Sequence, residues 1–233
     1  MKQRPGHYQK RPAWYEPHGN IRTDCYVLLA ALLNGSPSDD VIKLVRDLHW
    51  DENLPESLHG ALAALKRTGR NCEVETIAAE YQRLFVGLGS GEIVPYASWY
   101  REKIIQSTPL AAIRSDLKQL GIIRKEDVFE AEDHAGVLCE IMVLLSMPDT
   151  DIPENVQAVF FEEHIFSWMP QFFEDLQKVN DAAFFRALGR LGRCFLEGEN
   201  YYLQYARQEA DETTAASAMS GTKYAKKFDA KKR

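Results

Sequence analysis

The feature that narrows the fold most is a helical rhythm. Through the body of the chain, apolar residues recur at three- and four-residue intervals, and no run alternates polar with apolar over a strand's length. A 3.6-residue period lines one face of a helix, whereas a half-buried strand needs a period of two. The chain is therefore read as all-α. Thr23 or Asp24 caps a first helix to about Leu33, where Asn34-Gly35 ends it. Pro37 and Ser38 introduce a second helix with Val41, Leu44, Val45 and Leu48, and Pro55 opens a third with Leu58, Leu62 and Leu65 on one face and Gly69 as the stop. Val74 to Phe85 is a fourth, followed by a glycine-rich loop from Val86 to Tyr96. Further helices are expected from about Pro109 to Leu120 and from Glu132 to Met147. Two more fall within Val156 to Leu176, broken at Pro170, and a last runs from Asp181 to about Gln208, where Gly189 and Gly192 allow close packing. With no internal repeat and no dividing linker, this predicts a single domain of roughly eight to ten packed helices over residues 23–210. Residues 1–22 read as a basic extension, and residues 211–233, small, polar and basic, as a disordered tail.

Size and charge bound the function classes. The 233 residues suffice to bury a core, and 45% hydrophobic with 27% charged is ordinary globular composition. No apolar run approaches the ~20 residues that cross a bilayer. The run Cys25 to Leu33 follows a basic stretch as a secretory signal would, but Asp24 stands at its start and no small-x-small cleavage site follows. Cys25, Cys72, Cys139 and Cys194 form no C-x-x-C pair and read as free thiols in a reducing compartment, which suits the cytoplasm. The net charge is −6, of which residues 1–22 contribute +4 and residues 222–233 contribute +5, leaving −15 for the body between them. Such a body repels nucleic acid and attracts basic ligands. The basic tail is read as a solvated end rather than a nucleic-acid arm.

Three segments hold residues with chemical potential. Glu130-Ala131-Glu132-Asp133-His134 opens an apolar helix, and acids near a helix start are favoured by its dipole, each by about 0.3–1 kcal/mol. His134 lies on the face of Leu138, Ile141, Met142 and Leu145, where it either ties two helices together by hydrogen bonds or serves recognition. His164 follows Glu162 and Glu163 in an aromatic-rich helix. Two acid–histidine clusters raise a second reading, a helical metal-dependent enzyme using Asp133, His134 and His164. A di-iron bundle needs Glu-x-x-His, however, and Ala131 and Phe161 stand where the glutamates should be. The loop Gly87-Leu88-Gly89-Ser90-Gly91 follows a helix rather than a strand and lacks both G-x-G-x-x-G and Gly-Lys-Ser/Thr, so it is not read as a phosphate cradle. It ends in Val94-Pro95-Tyr96-Ala97-Ser98-Trp99-Tyr100, aromatics that either fill the core or wall a peptide groove. No strained-turn motif presents a nucleophile.

Taken in order, these segments resemble the TorD/DmsD family of cytoplasmic chaperones that mature twin-arginine-exported molybdenum redox enzymes. Glu80-Tyr81-Gln82-Arg83-Leu84-Phe85 and the later Pro95-Tyr96-Ala97-Ser98-Trp99-Tyr100 look like the family's Tyr-x-x-Leu-Phe helix and Pro-x-x-Ser-x-Tyr loop. Glu130 to His134, with Leu138 and Met142 beyond, is similar to its Glu-x-x-Asp-His helix, with Ala131 where the family often has proline. His164, Trp168, Pro170 and Phe172 match its His-x-x-x-Trp-x-Pro-x-Phe segment. The resemblance implies an all-helical single domain, monomeric or domain-swapped, that binds the signal peptide and precursor of a molybdoenzyme until its cofactor is inserted, and that is not an enzyme. It implies a recognition role for Tyr81, Pro95, Ser98, Tyr100, Asp133 and His134. Leu84, Phe85, Trp99, Glu130, Met142, His164 and Trp168 complete the expected peptide-binding set. No cofactor is expected; weak guanine-nucleotide binding is attributed to some members, and no motif here supports it. An acidic body would steer the leader's arginines, with Glu130 or Asp133 pairing with them and the aromatics taking its apolar stretch.

Overall fold

The computed structural model describes residues 21–87, 91–123, 130–147 and 150–229. Ten α-helices occur among them: α1 (Ile21–Leu33), α2 (Asp39–Arg46), α3 (Glu56–Asn71), α4 (Val74–Tyr81), α5 (Ala97–Glu102), α6 (Thr108–Gln119), α7 (Ala135–Ser146), α8 (Glu154–Phe161), α9 (Met169–Lys178) and α10 (Ala183–Asp229). The described residues contain no strand, only a single isolated bridge between Tyr96 and His134. The all-α architecture follows from the period of the apolar residues, and the long α10 serves as its spine, packing against α9, α3 and α8, while α1 lies on α7.

Local chemistry sets most boundaries. Ser38 caps α2 by accepting the Val41 N–H at 3.4 Å. Pro109 and Pro170 occupy the first turns of α6 and α9, where a missing N–H costs nothing, so Pro170 begins a helix rather than breaking one. Glu80 caps from a distance: its Oε2 accepts the backbone N–H groups of Phe184 and Phe185 at 3.2 Å each, at the start of α10. Two π-helical turns follow α4 and α8, at Gln82–Val86 and Glu162–Phe166. The first turns Leu84 into the core and sets Phe85 against Phe185 at 5.4 Å; Gly87, with φ of 54°, ends it. Gly91 then lies so close to this turn that a Cβ would stand 2.3 Å from the Leu84 carbonyl oxygen.

Several boundaries differ from those the sequence suggests. Thr23 lies inside α1, its hydroxyl bonded to Ser146 rather than capping. Gly69 lies within α3 and faces Val45, where a Cβ would stand 2.9 Å from Val45 Cγ1. Leu44 is solvent-facing, and Ile42 and Val45 carry α2's buried face. α7 begins at Ala135, so Glu132 and Asp133 precede it and the dipole argument for them as first-turn residues does not apply. The backbone remains helical to Asp229 where a disordered tail was expected; the four alanines and three lysines of residues 211–229 favour helix. Residues 1–20 of the expected N-terminal extension lie outside the described residues, but Ile21 and Arg22 belong to the body. Arg22 is buried, with its Nε 3.0 Å from each Glu199 oxygen and its Nη2 2.7 Å from Oε1. Gln157 and Tyr26 complete this network from α8 and α1. Gly189 and Gly192 do permit close packing: a Cβ on Gly192 would meet the Phe173 ring at 2.3 Å.

Candidate functional site

The residues between Pro95 and Tyr100 are held by the segment that precedes α7. The Ala97 N–H donates to the Asp133 carbonyl at 2.9 Å and the Ala135 N–H to the Pro95 carbonyl at 2.8 Å, the two bonds of the Tyr96–His134 bridge. Asp133 Oδ2 accepts the Ser98 N–H at 3.1 Å and a short hydrogen bond from the Ser98 hydroxyl. Tyr96 is the first residue outside α5 and makes no side-chain cap, so the Asp133 carboxylate caps α5 from another element. Asp133 and Ser98 are both fully buried. Oδ1 of Asp133 is buried too and has no hydrogen-bond partner among the described residues.

His134 caps its own helix. Its Nδ1 accepts the Gly136 N–H at 3.2 Å, which requires the neutral ring with its proton on Nε2. Burial pushes its pKa below the ordinary histidine value, and the Glu130 and Asp133 carboxylates only partly oppose this. The ring meets Tyr96 edge-on at 5.0 Å, and the Tyr96 hydroxyl donates to Glu130. Burial first, then this hydrogen bond, raises the Tyr96 phenol.

α5 is tied down on its far side as well. Tyr100 donates to Asp175 at 3.0 Å and packs against Trp168 and Phe172, with centroids 5.4 and 6.1 Å away. Trp168 is itself fixed by its indole N–H, which donates to the His164 carbonyl at 2.7 Å. Next to the Asp133 clasp, Glu132 pairs with Arg114 of α6 at 2.9 Å, on the wall of an open cavity of about 380 Å³ shared with Leu117, Lys118 and Ile122.

The expected peptide-binding residues thus divide. Trp99 and Glu130 reach solvent, and Phe85 and Tyr100 are half-buried. Tyr81, Leu84, Pro95, Ser98, Asp133, His134, Met142, His164 and Trp168 are buried. Tyr81 donates to the Leu33 carbonyl at 3.3 Å, and Met142 is core, so neither stands on the surface as a groove wall. Direct pairing of Asp133 with a ligand's arginine is replaced by a different arrangement: Asp133 and His134 shape the surface that Tyr96, Trp99 and Glu130 present. The metal grouping changes in the same way. His164 pairs through Nε2 with Asp116 Oδ2 at 2.7 Å, and Asp116, Glu163 and His164 are the described residues whose donor atoms lie close enough to hold an ion. Asp133 and His134 are not in that group. Sequence spacing could not reveal Asp116, which reaches His164 from α6, nor Glu80 as a cap for α10.

The nitrate reductase delta subunit family model matches residues 51–174, more than half of the chain. The Tat proofreading chaperone DmsD of Salmonella typhi is 28% identical over 179 residues, covering 72% of this chain and 84% of that protein. The chaperone protein TorD of Vibrio cholerae is 22% identical over 182 residues, covering 74% and 83%. A crystal structure assigned as a redox enzyme maturation protein of Archaeoglobus fulgidus matches the fold with a TM-score of 0.55 at 18% identity, over 78% of this chain and 98% of that one. The family model and these relatives place the chain among the redox enzyme maturation chaperones. The chain belongs to the nitrate reductase delta subunit family, and within it to the TorD/DmsD group.

Proposed function

We propose that this chaperone binds the twin-arginine signal peptide of a molybdenum redox enzyme precursor and delays export until the cofactor is in place, acting in the cytoplasm and catalysing no reaction. The observation that carries this reading is the buried Asp133–Ser98 clasp, which fixes α5 while Trp99 and the Glu130 carboxylate reach solvent and half-buried Tyr96 donates to Glu130. Pre-ordering an aromatic surface lowers the entropy lost when a flexible leader docks. The charge supports the same partner: a body of −15 attracts a leader with a basic start. The relatives named as Tat proofreading chaperones point the same way. Calorimetry with a synthetic twin-arginine leader tests it. Wild-type chain should bind, and Asp133→Ala should bind about tenfold more weakly while keeping its helical circular dichroism, since one buried charged hydrogen-bond acceptor is worth about 1.5–3 kcal/mol. Equal affinities for the two proteins would count against the reading.

A further inference from the structure

Beyond α5 the chain makes a turn whose backbone and surface are both out of the ordinary. Lys103 and Gln106 adopt left-handed conformations, with φ of 58° and 59°, although neither is glycine. Such residues persist only where surrounding bonds hold them. Here the Lys103 N–H donates to the Trp99 carbonyl at 3.0 Å, and the Gln106 N–H donates to the Ser98 hydroxyl oxygen at 3.2 Å. Ser98 is the residue that Asp133 grips, so a continuous chain of hydrogen bonds runs from the buried carboxylate to the far end of the turn. What the turn displays is Ile104 and Ile105, 64% and 49% exposed, close in sequence to Trp99 at 36%. Two β-branched apolar side chains left in water on a strained, pinned turn gain most when a partner covers them.

From this geometry we propose that the Lys103–Gln106 turn is the seat for the apolar stretch of the export leader, and that Asp133, through Ser98, is its positioning residue. The inference rests on the functional reading above and says which part of the leader goes where. The surroundings select that occupant. Exposed Glu102, Glu130 and Glu163 and half-buried Asp175, hydrogen-bonded to Tyr100, are four carboxylates on or near α5, against two cations, Lys103 and Arg101, whose Nη1 donates to the Glu163 carbonyl at 3.5 Å. The Lys103 ammonium lies over the Trp99 and Tyr100 rings at 5.6 and 5.5 Å and keeps its charge, so the carboxylates exceed the cations here by two. A segment with arginines beside an apolar run finds both an excess of carboxylates and an apolar seat here, which an acidic peptide or a uniformly apolar one does not use.

The test uses the full chain and two synthetic leaders, one natural in pattern and one whose apolar stretch is replaced by serine. The Ile104→Ser/Ile105→Ser variant should bind the apolar leader at least roughly tenfold more weakly than wild type and the serine leader as wild type does, with an unchanged melting temperature. In parallel, Ser98→Ala should speed amide exchange at Gln106 about fivefold, leaving α7 and α10 protected. Wild-type affinity of the double variant for the apolar leader overturns this inference alone. Failure of wild type to bind either leader overturns the functional reading and this inference with it. If the double variant turns a dimer into a monomer while leader affinity stays intact, the seat belongs to a second copy of the chain and the inference is again overturned.

Discussion

Replacing Arg22 by alanine removes the cation from one of the most enclosed charge pairs in the protein. The Arg22 and Glu199 side chains are 6% and 0% exposed, and three contacts of 3.0 Å or less join them. Coulomb attraction at such distances offsets the cost of burying both ions, but only while both are present. Without Arg22, the buried Glu199 carboxylate keeps the Tyr26 hydroxyl at 3.1 Å but loses the guanidinium that makes three contacts with it. Breaking a buried pair from one side costs about 3–5 kcal/mol. At about 2–4 °C per kcal/mol for a chain of this size, the melting temperature should fall by roughly 6–20 °C. The alternative in which both charges go, Arg22→Met/Glu199→Leu, should recover most of that loss, because an apolar pair of similar volume needs no desolvation. Thermal melts followed by circular dichroism on the three proteins, at one pH and salt, decide it. A fall under 1 °C for Arg22→Ala, or a double variant worse than the single one, would refute the claim that the pair is a buried lock between α1 and α10.

Two further outcomes follow from particular contacts. His134 is neutral in the fold and its pKa is depressed by burial, so the unfolded chain takes up its proton first as pH falls below the ordinary value of 6.5. Its contribution is therefore present above pH 6.5 and shrinks as pH drops toward the lowered value; His134→Asn, which keeps a cap acceptor for Gly136, should lose less stability across that interval in denaturant titrations. Gly192→Ala gains about 1 kcal/mol in helix propensity yet drives a methyl to 2.3 Å from the Phe173 ring, and overpacking of this kind costs about 1–3 kcal/mol. Chemical denaturation should show no net gain for Gly192→Ala, and Phe173→Leu in that background should relieve the strain.

The fold was legible because helix formation depends on a local period that the eye can count. Leu58, Leu62 and Leu65, or Ile77 and Leu84, report their burial by spacing alone. α5 was not legible, because its cap is Asp133, 35 residues away, and a six-residue helix carries no period of its own. The same cause hid the true start of α7: four ionisable residues before Ala135 look like a favoured first turn, yet two of them are committed elsewhere, Glu132 to Arg114 and Asp133 to Ser98. The segments that the sequence singles out do stand together in the structure. Their side chains point the other way from the expectation: the motif's acid and histidine hold the loop from within, and residues with no motif, Ile104 and Ile105, carry the exposure.

The account's central claim is that the clasp between the Asp133 segment and Pro95–Tyr100 presents the client-facing surface. Amide hydrogen exchange, compared with and without a saturating twin-arginine leader, measures this most directly. Added protection should concentrate in residues 96–106 and 130–134. Protection confined to α2, α3 and the outer face of α10, with those two stretches unchanged, would contradict it.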